Sequence, residues 1–595
     1  MKALVRAPFY RQILFMLAAF LFLMWVAACH ISNYREFAPD DAFITYIYGR
    51  NLAEGNGFYY NPRDSEPTEG FSSLLHVLLV ATGYLLNVDG LTTTRALNAL
   101  IYGVIGILIA GGAARLCREK TAVLLPSSII VMLLAFSVKD TRMHLCSGME
   151  TIIHTGIHAA VLLWTVSLLY GSFRRWFMVA QGVVLFFLLS ISRPDGLTLG
   201  VLYLFLAAIL SWFSSDTPRK RVVLSTDFLT WGGLAVLFCI YLLVKFLYFG
   251  YLLPNPYYVK THHAIFGSVV PMFPGWKETG LFFVARCLPL LLISLVLFWL
   301  GKGSIVLIRD GLAFLVPGVL AAAAYALTIH EVSFGYRFEF PMLVPFAVLL
   351  TCAVFHLARR AKRVMRGALF VAIALTCLAL NPGWFPFAGW VRHPVRSAIG
   401  WINYVPQQSP LARIGLDLAE THLGQNAVIL LSGAGQVPYY SRYYAIDWIG
   451  LNTNRLSGRT PMSLDEVWAY IDGFQPDVIY SLLPPADRGV SDKRYDPGFN
   501  SPAVQGFLRG HSCSLFRYWD RERLEEMFYK EMCYVREHYV FGAAYLLQEN
   551  GAVILYVRKN SPFRDRILGV LHGSKRSDPP SPLITRYVTD VSELQ

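Results

Sequence analysis

Residues 38–73, APDDAFITYIYGRNLAEGNGFYYNPRDSEPTEGFSS, follow directly on the first hydrophobic segment of the chain. The run opens on two adjacent carboxylates, Asp40 and Asp41, and goes on to Glu54, Glu66, Glu69, two arginines and a Gly-rich turn. Carboxylates set against a bilayer are costly unless they are paired or in use. Whether this stretch stands at a membrane therefore decides both the fold and the place of any chemistry.

Composition answers the first part. Of 595 residues, 55% are hydrophobic and only 15% charged, against about 25% charged in soluble domains. This is an integral membrane protein with soluble parts. Residues 12–29 are apolar, and the flank after them (HISNYREF) offers no small-residue cleavage site, which predicts a retained signal anchor. The net charge of +13 is a matter of location. Eighteen basic residues gather in six clusters between apolar runs: Lys2/Arg6/Arg11, Arg115/Arg118/Lys120, Arg174/Arg175, Arg219/Lys220/Arg221, Lys302/Arg309 and Arg359/Arg360/Lys362/Arg363/Arg366. Outside those loops the charges balance. The basicity is a positive-inside signal, and it argues against nucleic acid as a partner.

Candidate spans fall near 12–29, 92–114, 121–137, 151–171, 176–192, 197–214, 228–249, 279–300, 311–329, 341–357 and 367–381, eleven in all. The apolar run 72–88 is left out, because counting it would move every later basic cluster to the other side. It is predicted to lie in the outer interface as a helix. The N-terminus is then cytoplasmic, and loops 30–91, 138–150, 192–196, 250–278 and 330–340 face outward with everything after about residue 382. The inner loops are short and basic, so chemistry belongs outside.

From 382 onward the pattern is that of a soluble α/β domain. Short β-rich runs (427–431, 477–483, 552–557) alternate with helical stretches such as 521–535. The expected organisation is a membrane domain over 1–381 with its key outer loop at 30–91, a soluble domain over 382–571, and a tail over 572–595 that reads as linker or disordered. Nine cysteines show no CxxC. Cys513 and Cys533 fall in the soluble part, where a disulfide is an open alternative.

Several residues in the outer loops carry chemistry. Asp40 and Asp41 suit a base that takes a proton from a hydroxyl, since one acid raises the pKa of its neighbour. The structural alternative is helix capping. Arg50 either binds an anion or snorkels to the interface. Glu69 either caps the interfacial helix or meets a polar ligand. Glu150 in SGMET is a helix-terminal charge or a site residue. Arg193 and Asp195 in SRPDG form a mutual pair, with phosphate binding by Arg193 the weaker alternative. Lys260 and His262 follow LPNPYYV, where lysine can hold a phosphate as a point charge; His262 and His263 by themselves lack metal spacing. Arg337 in GYRFEFP suits a bidentate clamp on a monophosphate, or stacks between Tyr336 and Phe338.

The run DDAFITYIYGRNLAEGNGFYYNP…TEGFSS resembles prokaryotic GT-C-type glycosyltransferases. It is similar to the terminal arabinofuranosyltransferases of the mycobacterial cell wall and their bacterial relatives. SGMET, SRPDG, LPNPYYVK, YRFEFP and AIDWIGLN (445–452) follow in the same order. The resemblance implies a multi-pass helical GT-C fold with juxtamembrane helices and a C-terminal extracytoplasmic α/β domain, in a bacterial inner membrane. The implied donor is a polyprenyl-phosphate-linked sugar, most naturally arabinofuranose, and the acceptor a glycan, lipid or protein. Asp40 or Asp41 is then the catalytic aspartate. Arg50, Glu69, Glu150, Arg193, Asp195, Lys260, His262 and Arg337 are the substrate-binding candidates. No metal site is assigned, although paired aspartates also suit Mg²⁺ or Ca²⁺. The alternatives are a mannosyl-, glucosyl- or aminoarabinosyltransferase on the same scaffold, or a transporter of lipid-linked sugar.

Overall fold

The computed structural model describes residues 2–136, 139–171, 174–213, 217–261, 275–301, 303–325, 334–360, 391–402, 409–460, 462–481, 530–531, 533–535, 537–547, 552–573 and 584–588. Ten helices run in order to residue 249: α1 (Lys2–Asn33), α2 (Asp40–Ala53), α3 (Leu74–Leu85), α4 (Gly90–Cys117), α5 (Thr121–Ala135), α6 (Lys139–Cys146), α7 (Thr151–Tyr170), α8 (Arg175–Ser192), α9 (Asp195–Trp212) and α10 (Thr217–Phe249). Three further long apolar helices follow at Trp276–Leu300, Ile305–Tyr325 and Phe340–Arg360.

Among the described residues nine helices are long and apolar enough to cross a membrane, or ten if the bent pair α5–α6, broken by 91°, is one span. The chain is a multi-pass membrane protein. Ten of the eleven expected spans thus have a counterpart, with 121–137 at the bent pair. The eleventh, 367–381, lies outside the described residues.

The run set aside from the spans is short. α3 has 12 residues, which is roughly 18 Å of helix against about 30 Å of hydrocarbon. Ser73 caps it by accepting from the His76 N–H at 3.2 Å. α2 lies against α3 and ends where Gly55 and Gly57 take φ of 84° and 79°. The basic clusters at Arg115/Arg118, Arg219–Arg221 and Arg359/Arg360 sit at the opposite end of the bundle from α2 and α3. There Arg359 bonds Glu119 at 2.8 Å and Arg219 bonds the Gly171 carbonyl at 3.0 Å.

The C-terminal part is built on a six-stranded mixed sheet, order β2-β1-β3-β5-β4-β6. Its strands are β1 (Val428–Leu431), β2 (Tyr444–Asp447), β3 (Val478–Ser481), β4 (Tyr539–Leu547), β5 (Ala552–Arg558) and β6 (Ile584–Val588). β1 pairs in parallel with β2 and β3, and the remaining pairs are antiparallel. β1, β3 and β5 fall on the three β-rich runs expected. The tail departs from expectation: helix Arg564–Gly573 extends past residue 571, and Ile-Thr-Arg-Tyr-Val at 584–588 pairs with β4 as an edge strand. Helix 521–535 lies mostly outside the described residues and Cys513 wholly so; among the described residues Cys533 has no disulfide partner.

Loop 54–73 docks α2 to this sheet. Asn61 donates to the Ala445 carbonyl at 3.1 Å and accepts from its N–H at 2.9 Å. Asp64 accepts from the Tyr444 hydroxyl at 2.6 Å. Tyr48 and Asn452 join at 3.2 Å across 404 residues of chain.

Candidate active site

The site is built from α2, the segments that open α7 and α9, and residues 334–338. The Tyr46 hydroxyl of α2 donates to the Gly148 carbonyl at 2.7 Å. Gly148 has φ 71°, and a Cβ there would strike the Tyr46 hydroxyl, so the turn needs glycine twice over. This contact holds SGMET beside the start of α2. Glu150, at the head of α7, is 5% exposed; its carboxylate accepts from its own backbone N–H and makes no ion pair among the described residues. Burial alone pushes its pKa up. The Arg337 and Arg193 guanidinia, with His76, outweigh burial and hold the carboxyl below the ordinary range. His76 itself is pushed down to about 4 by burial, against the pull of Glu150.

Arg193 is fully engaged as a brace. Its Nε pairs with Asp195 at 3.0 Å, Nη1 donates to the Arg337 carbonyl at 2.9 Å and Nη2 to the Tyr325 hydroxyl at 2.9 Å. Asp195 is held from behind by His154 at 3.3 Å, and His154 by Ser192 at 2.8 Å. The mutual pair expected of SRPDG is present, and its product is a fixed backbone at residue 337.

Arg337 differs. It is 8% exposed, and its Nε and Nη1 are buried with no acceptor among the described residues. The guanidinium lies over the rings of Phe338 (4.8 Å) and Phe334 (6.0 Å), so Phe334 takes the place expected of Tyr336. Phe334 in turn meets Phe37 edge-on at 5.1 Å. An unfilled cation thus stands beside the segment that leads into Asp40 and Asp41. Two buried donors without a partner carry a desolvation cost that an incoming oxyanion would relieve.

The twin acids part company. Pro39 is the N-cap of α2 and neither aspartate caps it with its side chain. Asp40 is instead bound by the sheet domain: its carboxylate accepts from the Gly435 N–H at 2.9 Å and the Gln436 N–H at 2.6 Å. Gly435 comes so close that a Cβ would overlap the Asp40 carbonyl. Burial pushes the Asp40 pKa up to about 6; the two amide bonds pull it down and Asp41 adds to the rise. Asp41 is partly exposed, and among the described residues it makes no hydrogen bond or ion pair.

The other candidates are dispersed. Arg50 lies further along α2, donating to the Tyr439 carbonyl at 2.9 Å and resting 5.2 Å from the Tyr439 ring. Glu69 forms a buried ion pair with Lys245 of α10 at 2.9 Å, which ties loop 54–73 to a span rather than capping α3. Burial pushes its pKa up to about 7, with Lys245 opposing. Lys260 sits on the short helix Asn255–Thr261, its side chain outside the described residues; His262 lies outside them altogether. Among the described residues no group of three or more His, Cys, Asp or Glu is placed to hold a metal.

Two supporting groups escaped the sequence reading. Arg95, 1% exposed within α4, donates to the carbonyls of Arg35 (2.6 Å), Phe37 (3.2 Å) and Cys146 (2.9 Å), fixing the approach to Asp40. Its signal is an arginine six residues into an apolar span, where a charge has to face a partner. Asp447 accepts from the backbone N–H groups of Ile449 and Asn452 at 3.1 and 3.0 Å, shaping the loop that carries Asn452 to Tyr48. The motif AIDWIGLN carried it, but nothing in the motif gave the acid a role.

A family described as a domain of unknown function (DUF8728) matches residues 399–537. No curated protein matches the chain. Among solved structures, ArnT from Cupriavidus metallidurans bound to undecaprenyl phosphate is similar at 13% identity and a TM-score of 0.50, covering 79% of this chain and 93% of that one. The apo state of the same protein matches at 13% identity and 0.50, covering 80% and 93%. The archaeal oligosaccharyltransferase AglB from Archaeoglobus fulgidus, in complex with an inhibitory peptide and a dolichol-phosphate, matches at 11% identity and 0.43, covering 91% and 74%. At the identity of the ArnT match the likeness speaks to architecture alone: the chain has the GT-C fold, a helical membrane bundle carrying a C-terminal sheet domain.

Proposed function

We propose that the protein is a glycosyltransferase of the outer face of a bacterial inner membrane. It moves a sugar, arabinofuranose first among candidates, from a polyprenyl monophosphate to a glycan, lipid or protein acceptor. The observation that carries the reading is Arg337, a buried guanidinium with two donors lacking an acceptor, set beside the segment that leads into the unpartnered Asp41. Asp41 takes the proton of the acceptor hydroxyl as the new bond to the anomeric carbon forms. The bond from that carbon to the phosphate oxygen breaks, and the released phosphate leaves its charge against Arg337, which Arg193 holds in place. A single displacement of this kind inverts the anomeric centre. The GT-C fold supports the assignment, and so does the lipid phosphate bound by ArnT.

The test is transfer by the purified protein in nanodiscs, offered synthetic polyprenyl-phosphate arabinofuranose, mannose, glucose and aminoarabinose one at a time. Turnover of one donor, abolished in Asp41→Asn, is the expected result. A folded protein that turns over none, or that moves lipid-linked sugar between leaflets without transfer, overturns the assignment.

A further inference from the structure

A second polar site lies at the far end of α2, apart from Arg337. The C-terminal turn of α2, the loop after it and the short helix Gln436–Ser441 enclose an open cleft of about 430 Å³, solvent included. Its walls include Ile47, Pro62 and Pro438, and its polar groups are Arg50, Glu54, Gln425 and Arg442.

Two of these groups are unsatisfied. The Arg50 Nε is buried with no acceptor among the described residues, although Nη1 is used on Tyr439. The Gln425 Nε2 donates to the carbonyls of Arg442 and Tyr443 at 2.9 and 3.3 Å, which fixes the amide orientation and leaves its buried Oε1 without a donor. Arg442 extends over the cleft, 59% exposed, and meets Glu54 at 3.5 Å. Two guanidinia against one carboxylate leave a single positive charge. An apolar floor, a spare donor, a spare acceptor and one net positive charge suit a sugar ring that bears an acid.

We propose that this cleft binds an acidic saccharide, its carboxylate between Arg50 and Arg442 and a ring hydroxyl donating to Gln425. The proposal rests on the transferase reading in one respect: it assigns the cleft to the acceptor. Arg50 is nine residues beyond Asp41, roughly 14 Å along the helix, a distance that a short oligosaccharide bridges.

Calorimetric titration of the full-length protein in nanodiscs, without donor, tests the cleft separately from turnover. Trigalacturonate should bind at least tenfold tighter than maltotriose. Arg442→Gln should weaken trigalacturonate about threefold to fivefold, and Glu54→Gln should tighten it by a similar factor, as expected of charges at an exposed rim. Both side chains are exposed, and a thermal melt of each variant should match the wild type. Equal affinity for the two trisaccharides, or no response to either substitution, overturns the proposal. Glycerol 1-phosphate competing on equal terms with trigalacturonate overturns it too, and reassigns the cleft to a lipid headgroup.

Discussion

Asp40 and Asp41 are adjacent in sequence and opposite in duty. Asp40→Asn leaves one Gly435 or Gln436 amide facing a side-chain N–H₂, and should cost about 1–3 kcal/mol of stability. Asp41→Asn should leave stability unchanged and lower turnover by roughly 10²- to 10⁴-fold. Thermal melts and transfer rates of the two variants, side by side, separate these outcomes. Asp40 also sets a pH dependence. Its folded pKa of about 6 stands above the value near 3.9 of a free aspartate, so the folded state keeps a proton that the unfolded state has already lost. That contribution is full below about pH 4 and is lost as pH rises through 6. Wild-type melting temperature should therefore carry a downward slope over that window that Asp40→Asn lacks. Arg337→Gln, with its charge gone, should raise donor KM roughly tenfold or more. The sequence placed these acids at a membrane edge but could not tell them apart, because the amides that claim Asp40 come from 395 and 396 residues away.

At the scale of elements, the same few ties decide where loops stand. Arg193 joins the Asp195 carboxylate, the Tyr325 hydroxyl and the Arg337 carbonyl through three nitrogens, and lysine cannot reproduce that fork. Arg193→Lys should raise donor KM about tenfold with a smaller change in kcat, measured with Arg337 intact. Glu69 and Lys245 are both buried, so removing either partner alone should cost about 3–5 kcal/mol. Lys245→Met with Glu69→Leu should recover most of that, as read by chemical denaturation. Element boundaries were largely readable beforehand: the charge pattern alone excluded the run that became α3, and the β-rich runs became β1, β3 and β5. Side-chain assignments were less so. Glu69 looked like a cap or a ligand because Lys245 lies on a distant span, and spacing along a chain says nothing of such a meeting.

For the whole molecule, orientation is read by labelling from one side of the membrane. In a Cys533→Ser background, Ala469→Cys should react with a membrane-impermeant maleimide in intact spheroplasts, and Lys120→Cys only after lysis. The reverse pattern would put the sheet domain in the cytosol and remove the basis for an external transferase. The helical membrane bundle and the sheet domain followed from composition and charge. How the two halves join did not, since that depends on Asn61, a residue with no pattern around it. Its amide group meets Ala445 as a neighbouring peptide would, along the outer side of β2, while β2 itself is the last strand on that side of the sheet. The membrane half thus serves as a plug for a raw strand border. Cut free of it, the soluble half would show unsatisfied backbone to its own copies and stick to them, so biochemists who want that half alone should expect precipitate rather than a well-behaved monomer.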